Sequence, residues 1–179
     1  MKSSLSPVLI IAVSFALGGA YVGYKHHSAK PASEAAAATT PKPSPLFEQL
    51  LPDAAGIPHK LSQWQGKPLV VNFWATWCAP CVEEMPELSA LQAELSTKGA
   101  QIIGIGIDTA DNIENFAGKY KIAYPLYVAG TNGIELSRQL GNKNGGLPFT
   151  VLFDQNGIPV KTYLGRLQMD QLRSDLTKL

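Results

Sequence analysis

The run PLVVNFW, residues 68 to 74, leaves this chain less freedom than any other stretch. It is a continuous apolar run with β-branched residues, bounded on its N-terminal side by Gly66. A half-buried strand alternates apolar with polar side chains, so a run of this kind fits a strand buried on both faces. Such a strand needs a covering layer on each side, and that requirement directs the reading of the rest of the chain.

Directly after it, WATWCAPCVEEMP (74 to 86) carries both cysteines of the 179-residue chain, Cys78 and Cys81. Apolar side chains at Val82, Met85, Leu88, Leu91 and Leu95 then recur at threes and fours, which predicts a helix ending near Gly99. QIIGIGID (101 to 108) predicts a second buried strand and NIENFAGKY (112 to 120) a second helix. YPLYV (124 to 128) reads as a strand, and IELSRQL (134 to 140) as a helix closed by Gly141. FTVLFD and IPVKTYL flank QNG as a hairpin, with Asn156 and Gly157 suited to positive φ in a tight turn. A last amphipathic helix is expected from about Met169 to Lys178. The alternation is that of an α/β fold with helices on both faces of a central sheet, and no internal repeat is visible. With 45% apolar and 16% charged residues the chain can bury one ordinary core, hence one domain. A formal net charge of +1 gives no electrostatic case for a nucleic-acid partner.

The N-terminus is of another kind. No charged residue occurs from Ser3 to Tyr24, and VLIIAVSFALGGAYVG lies between Lys2 and Lys25. Roughly 20 apolar residues cross a bilayer as a helix. Residues 1–24 are therefore expected to be a signal anchor in the inner membrane. A cleaved signal peptide is the alternative, because Gly18 and Ala20 would allow cleavage after Ala20, but the apolar run continues past that point. Residues 25–45, rich in Ala, Pro, Ser and Thr without apolar periodicity, read as a disordered tether, leaving 46–179 as the folded domain. Lys2 against Lys25 and Lys30 does not follow the positive-inside tendency, so a periplasmic or other extracytoplasmic domain rests on the signal-like placement and on the cysteine chemistry.

Cys78 and Cys81 could bind a metal, staple a loop, lie inert or trade electrons. Structural zinc needs four ligands, and besides the two cysteines there are only His26 and His27, in the tether, and His59. A stabilising crosslink gains little across so short a loop. Two inert buried thiols remain the bland reading. Redox chemistry fits the surroundings better. Cys78 falls between a strand and the first turn of a helix, where unpaired N–H groups and the helix dipole favour a thiolate, and Cys81 follows one turn on. Pro80 removes a donor where the helix has no partner for it and stiffens the turn.

FWATWCAPCVEEMP, taken with GLPFTVLFDQNG, resembles the thioredoxin fold and, within it, the membrane-tethered TlpA/ResA/DsbE-like branch. The resemblance covers residues 46 to 179. It implies a thioredoxin-like central mixed sheet, with a TlpA-type helix–strand insertion from about Asp111 to Val128. It implies that Cys78 is the exposed nucleophile and Cys81 the resolving cysteine, with Pro86 at the family's helix proline. Pro148 matches the family's cis-proline beside the disulfide, and the backbone of Leu147 its substrate-pairing position; from the residues alone Pro148 is equally a plain turn proline. Glu84 matches the acidic residue near the buried cysteine, with proton transfer to and from Cys81 as its role and a pKa raised by burial. From the residues alone Glu84 ranks no higher than Glu83 or Glu87, which read as solvated. Thioredoxin carries a buried aspartate where this chain has Asn72, so acid–base work passes to Glu84 or to water. Trp77, with Ala79 and Pro80, is expected to border the active surface, and Trp74 to pack in the core.

The resemblance implies a thiol-disulfide oxidoreductase whose only redox group is the Cys78–Cys81 disulfide, with no further cofactor and no metal. A reductase of exported protein disulfides is expected, for instance in cytochrome c maturation, working as a monomer with electrons from a membrane donor of the DsbD/CcdA type. Thioredoxin and the oxidant DsbA differ by about 150 mV on one fold, so a DsbA-like oxidase is the rival. A copper metallochaperone would use the soft thiolates, but no histidine follows Cys81. A thiol peroxidase needs a threonine three before its cysteine, and Thr76 is two before Cys78.

Overall fold

The computed structural model describes residues 44–179. The expected anchor, and all but the last two residues of the expected tether, lie outside the described residues. Among those described, no helix is long and apolar enough to cross a membrane.

The described residues form seven strands and four α-helices. Strands β1 (Leu50–Pro52) and β2 (Pro58–Lys60) form a small antiparallel hairpin apart from the main sheet. The main sheet comprises β3 (Leu69–Trp74), β4 (Gln101–Gly106), β5 (Leu126–Val128), β6 (Phe149–Phe153) and β7 (Pro159–Leu164), in the order β5-β4-β3-β6-β7. Strands β3, β4 and β5 are parallel; β6 runs antiparallel to β3, and β7 antiparallel to β6. The helices are α1 (Ala79–Ser96), α2 (Ala110–Tyr120), α3 (Asn132–Gln139) and α4 (Met169–Leu176). The fold is thioredoxin-like, a mixed sheet in the α/β class, and α2 with β5 extends the sheet beyond β4.

Every residue of β3 is buried, its apolar side chains and Asn72 alike. Val70 and Trp74 face the layer of α1, α2 and α4, where they meet Leu88, Ile113, Phe116 and Leu172. Leu69, Val71 and Phe73 face the opposite layer, built from α3 and from two short 3-10 turns that bring in Leu46, Phe47 and Leu61. The turns and the β1–β2 hairpin were not expected. Elements of three and four residues are too short to carry a period, so they form structure only by packing against the second face of the sheet.

The β6–β7 turn differs from the expectation in one respect. Gly157 has φ of 77°, but Asn156 does not adopt positive φ. The Asp154 carboxylate instead accepts the N–H groups of Asn156 and Ile158, each at 2.9 Å, and shapes the turn from within. A Cβ at Gly157 would lie 2.8 Å from the Phe47 ring, which packs edge-on against Phe153. Gly157→Ala is therefore expected to lower the unfolding free energy by about 1–3 kcal/mol, through positive φ and the displaced ring, read as a lower urea midpoint with an unchanged slope.

Candidate active site

Cys78 and Cys81 are joined by a disulfide with an S–S distance of 2.12 Å and Cα atoms 5.2 Å apart. Cys78 is the N-cap of α1, with its own N–H bonded to the Ala75 carbonyl at 3.2 Å and its carbonyl accepting from Val82 N at 3.1 Å. The first-turn N–H groups left over belong to Ala79 and Cys81, Pro80 having none. Positive partial charge is thus set where a sulfur anion would form. Cys81 is wholly buried, and Cys78 keeps 7% of its surface. Their order is that of a nucleophile above a resolving thiol, although Cys78 is less open in the disulfide form than an exposed nucleophile suggests. Around it Ala79, Pro80 and Trp77 are exposed, Trp77 at 69%, while Trp74 is buried against Phe116.

The loop before Cys78 is held from β4. Asp108 accepts hydrogen bonds from the backbone N–H and the hydroxyl of Thr76, and further bonds from Thr109 N and Asn112 Nδ2. Partial burial works against ionisation there, but these donors hold the Asp108 carboxyl below the usual carboxylate range. On the other side, Phe149 pairs with Phe73, so Pro148 falls beside the end of β3 from which the cysteine loop departs. The Leu147–Pro148 bond is cis, and the Pro148 carbonyl accepts from Gly165 N at 2.9 Å. Leu147 is half-buried and touches both cores. Before it, Asn142 donates its Nδ2 to the Gly146 carbonyl at 2.9 Å.

Glu84, one turn after Cys81 on the same helix, has no exposed surface. Asn72 of β3 donates Nδ2 to its Oε1 at 2.7 Å, and Leu167 donates its backbone N–H to its Oε2 at 2.9 Å. Asn72 Nδ2 also reaches the Thr150 hydroxyl, at 3.1 Å. Burial pushes the Glu84 carboxyl up to about 7, against the downward pull of Leu167 and Asn72. Glu83 and Glu87, its neighbours in sequence, are exposed and pair with Arg166. Among the described residues no cluster of three or more His, Cys, Asp or Glu side chains could hold a metal ion.

Sequence reasoning missed three parts of this site: the Asn72 amide as direct partner of Glu84, the Leu167 N–H that completes its solvation, and the Asp108 clamp on Thr76. Asn72 carried the one usable signal, an amide in an otherwise apolar buried strand, which requires a partner inside the core. The other two depend on loops meeting across the fold.

The unfolded chain releases the Glu84 proton near the ordinary 4.5, whereas the folded protein retains it to about pH 7. Stability is then expected to fall as pH rises through that window, by up to about 3 kcal/mol. Urea unfolding of the oxidised protein from pH 4 to 8.5 checks this, and Glu84→Gln should flatten the slope and be the more stable form at pH 8.

The Redoxin family matches residues 30–178. The thiol-disulfide oxidoreductase ResA of Bacillus thuringiensis strain Al Hakam is 31% identical over 145 residues, 77% of this chain and 77% of that protein. ResA of Geobacillus thermodenitrificans is 27% identical over 173 residues, 96% of this chain and 92% of its own. Among solved structures, a thioredoxin-family thiol:disulfide interchange protein from Chlorobium tepidum superposes with a TM-score of 0.67 at 24% identity, covering 76% of this chain and 96% of that one. A secreted Mycobacterium tuberculosis disulfide oxidoreductase homologous to DsbE gives 0.63 at 22% identity, covering 74% and 97%. Fold, cysteine pair and sequence agree: the chain belongs to the Redoxin family and is a thioredoxin-fold thiol-disulfide oxidoreductase of the TlpA/ResA/DsbE-like branch.

Proposed function

We propose that this protein is a membrane-tethered reductase of exported protein disulfides, with Cys78 attacking, Cys81 resolving and Glu84 handling the proton of Cys81. The observation that carries the reading is the cysteine pair itself, Cys78 at the N-cap of α1 and Cys81 wholly buried one turn on, with the buried Glu84 carboxyl one further turn along the helix and a donor on each of its oxygens.

In the reduced protein the Cys78 thiolate attacks one sulfur of a substrate disulfide. A mixed disulfide forms, and the other substrate sulfur leaves as a thiolate that takes a proton from water. Glu84, ionised, accepts the proton of Cys81, whose thiolate then attacks Cys78 Sγ. That step closes the Cys78–Cys81 disulfide and expels the second substrate sulfur as a thiolate, which takes its proton from solvent while Glu84 later returns the Cys81 proton, so two electrons pass to the substrate and its two thiolates are protonated from water. A carboxyl poised near neutrality suits this work, because it can both accept and return a proton at ambient pH. The cis Leu147–Pro148 segment and the exposed Trp77, Ala79 and Pro80 form the docking surface, on which the Leu147 backbone pairs with the bound chain. Returning the disulfide to the dithiol needs two electrons from a membrane donor of the DsbD or CcdA type. Maturation of apocytochrome c is the task to test first, with a monomeric domain held outside the cytoplasm by residues 1–24.

The test is covalent trapping in cells. Cys81→Ser removes the resolving thiol and is expected to accumulate mixed disulfides with exported proteins, whereas Cys78→Ser should trap none. Equal trapping by the two variants, or none by either, would contradict the assigned roles. In single-turnover reactions, Glu84→Gln is expected to slow resolution about 10-fold to 100-fold at pH 7 and leave the initial attack unchanged.

A further inference from the structure

One short segment joins the ion pairs on the outer face of α1 to the carboxyl on its inner face. Arg166, in the turn between β7 and α4, donates from Nη1 to Glu83 at 2.9 Å and from Nη2 to Glu87 at 2.6 Å. These two glutamates bracket Glu84 along the helix; they point outward and it points inward. The next residue, Leu167, is buried and supplies the N–H that binds Glu84 Oε2. The preceding residue, Gly165, is bonded through its N–H to the carbonyl of the cis-proline Pro148. Three consecutive residues thus touch the expected docking loop, the outer face of the cysteine helix and the buried carboxyl in turn.

We infer that Gly165–Arg166–Leu167 is a latch that sets the proton affinity of Glu84, with Arg166 as its positioning residue. The inference rests on reading Glu84 as the proton acceptor for Cys81. The charged and titratable groups facing Glu84 decide the sign. From β3 comes the neutral amide of Asn72; from α1 come the anionic Glu83 and Glu87, Cys81 one turn earlier being held in the disulfide; from the α2–β5 connection comes the Tyr124 phenol. Arg166 is the cation set against Glu84. A closed latch holds a donor and a positive charge against the ionised carboxyl and neutralises its two anionic neighbours. An open latch withdraws the donor and frees those two charges, and each change favours the protonated form. A guanidinium is suited to this, since its planar fork spans two carboxylates at once where an ammonium offers a single nitrogen. A cleft of about 620 Å³ lined by Glu87, Arg166, Leu167 and Arg173 lies on the outer side.

The experiment is a 13C-carboxyl NMR titration of the oxidised protein, in which neither cysteine titrates, with Glu84→Gln used to assign the resonance. Arg166→Gln is expected to raise the Glu84 midpoint by at least about half a pH unit. Arg166→Lys, which keeps the charge but loses the fork, should recover only part of that shift. An unchanged midpoint in Arg166→Gln, or complete recovery by lysine, would overturn the latch. Arg166 is exposed, so both variants are expected to fold, and a thermal melt checks this. The titration needs no substrate. A normal resolution rate in Glu84→Gln would therefore count against the proton-acceptor reading alone, leaving the latch to be judged by its own shift.

Discussion

The hydrogen bond between Asn72 and Glu84 is the contact on which the site depends. It crosses from the central strand to the helix that carries both cysteines. A carboxyl with no exposed surface is costly to bury, and this one is retained because each of its oxygens has a donor. Replacing Asn72 with an apolar residue of similar size would leave Glu84 short of a partner inside the core, a loss of about 1–3 kcal/mol by the usual cost of an unmade buried hydrogen bond. The same bond ties α1 to β3 across the core.

Around this contact two electrostatic environments are kept separate. At the N-terminus of α1, N–H groups and the helix dipole favour a thiolate on Cys78. One turn further in, burial disfavours charge and raises Glu84 to about 7. In the proposed mechanism the attacking sulfur is eased toward ionisation by backbone groups, and the buried sulfur gives its proton to the carboxyl. Three loops hold the frame: Asp108 clamps Thr76, Asn142 pins the segment before Leu147, and the Gly165–Leu167 turn ties Pro148 to α1. Each loop is anchored by a polar side chain or by backbone, which lets the surface around Cys78 stay open for a protein partner while the core beneath it stays closed.

Much of this was legible in the sequence because the dominant signals are local. The run at 68 to 74, apolar but for Asn72, announced the central strand, and the spacing from Val82 to Leu95 announced α1. Glu84 was more legible than it was taken to be. It lies three residues after Cys81 and four before Leu88, on the buried stripe, whereas Glu83 and Glu87 lie off it, so helical arithmetic alone separates the three. The β1–β2 hairpin and the 3-10 turns were not legible, because three- and four-residue elements carry no period and are stabilised only by packing against the finished sheet. Asn156 misled for a related reason: it resembles a positive-φ turn residue, but the Asp154 carboxylate two positions earlier organises the turn instead. The Leu167 N–H, supplied by a residue 83 positions from Glu84, has no signature in any window of sequence.

The account stands or falls on the direction of electron flow, which fold and Cys-x-x-Cys spacing leave free over about 150 mV. The decisive measurement is the equilibrium reduction potential of the Cys78–Cys81 couple, titrated against glutathione or dithiothreitol at pH 7 with tryptophan fluorescence as the readout. A reductase is expected near the roughly −270 mV of thioredoxin or lower. A value near the roughly −120 mV of DsbA would contradict the account, because a couple that oxidising would form disulfides in its partners instead of breaking them.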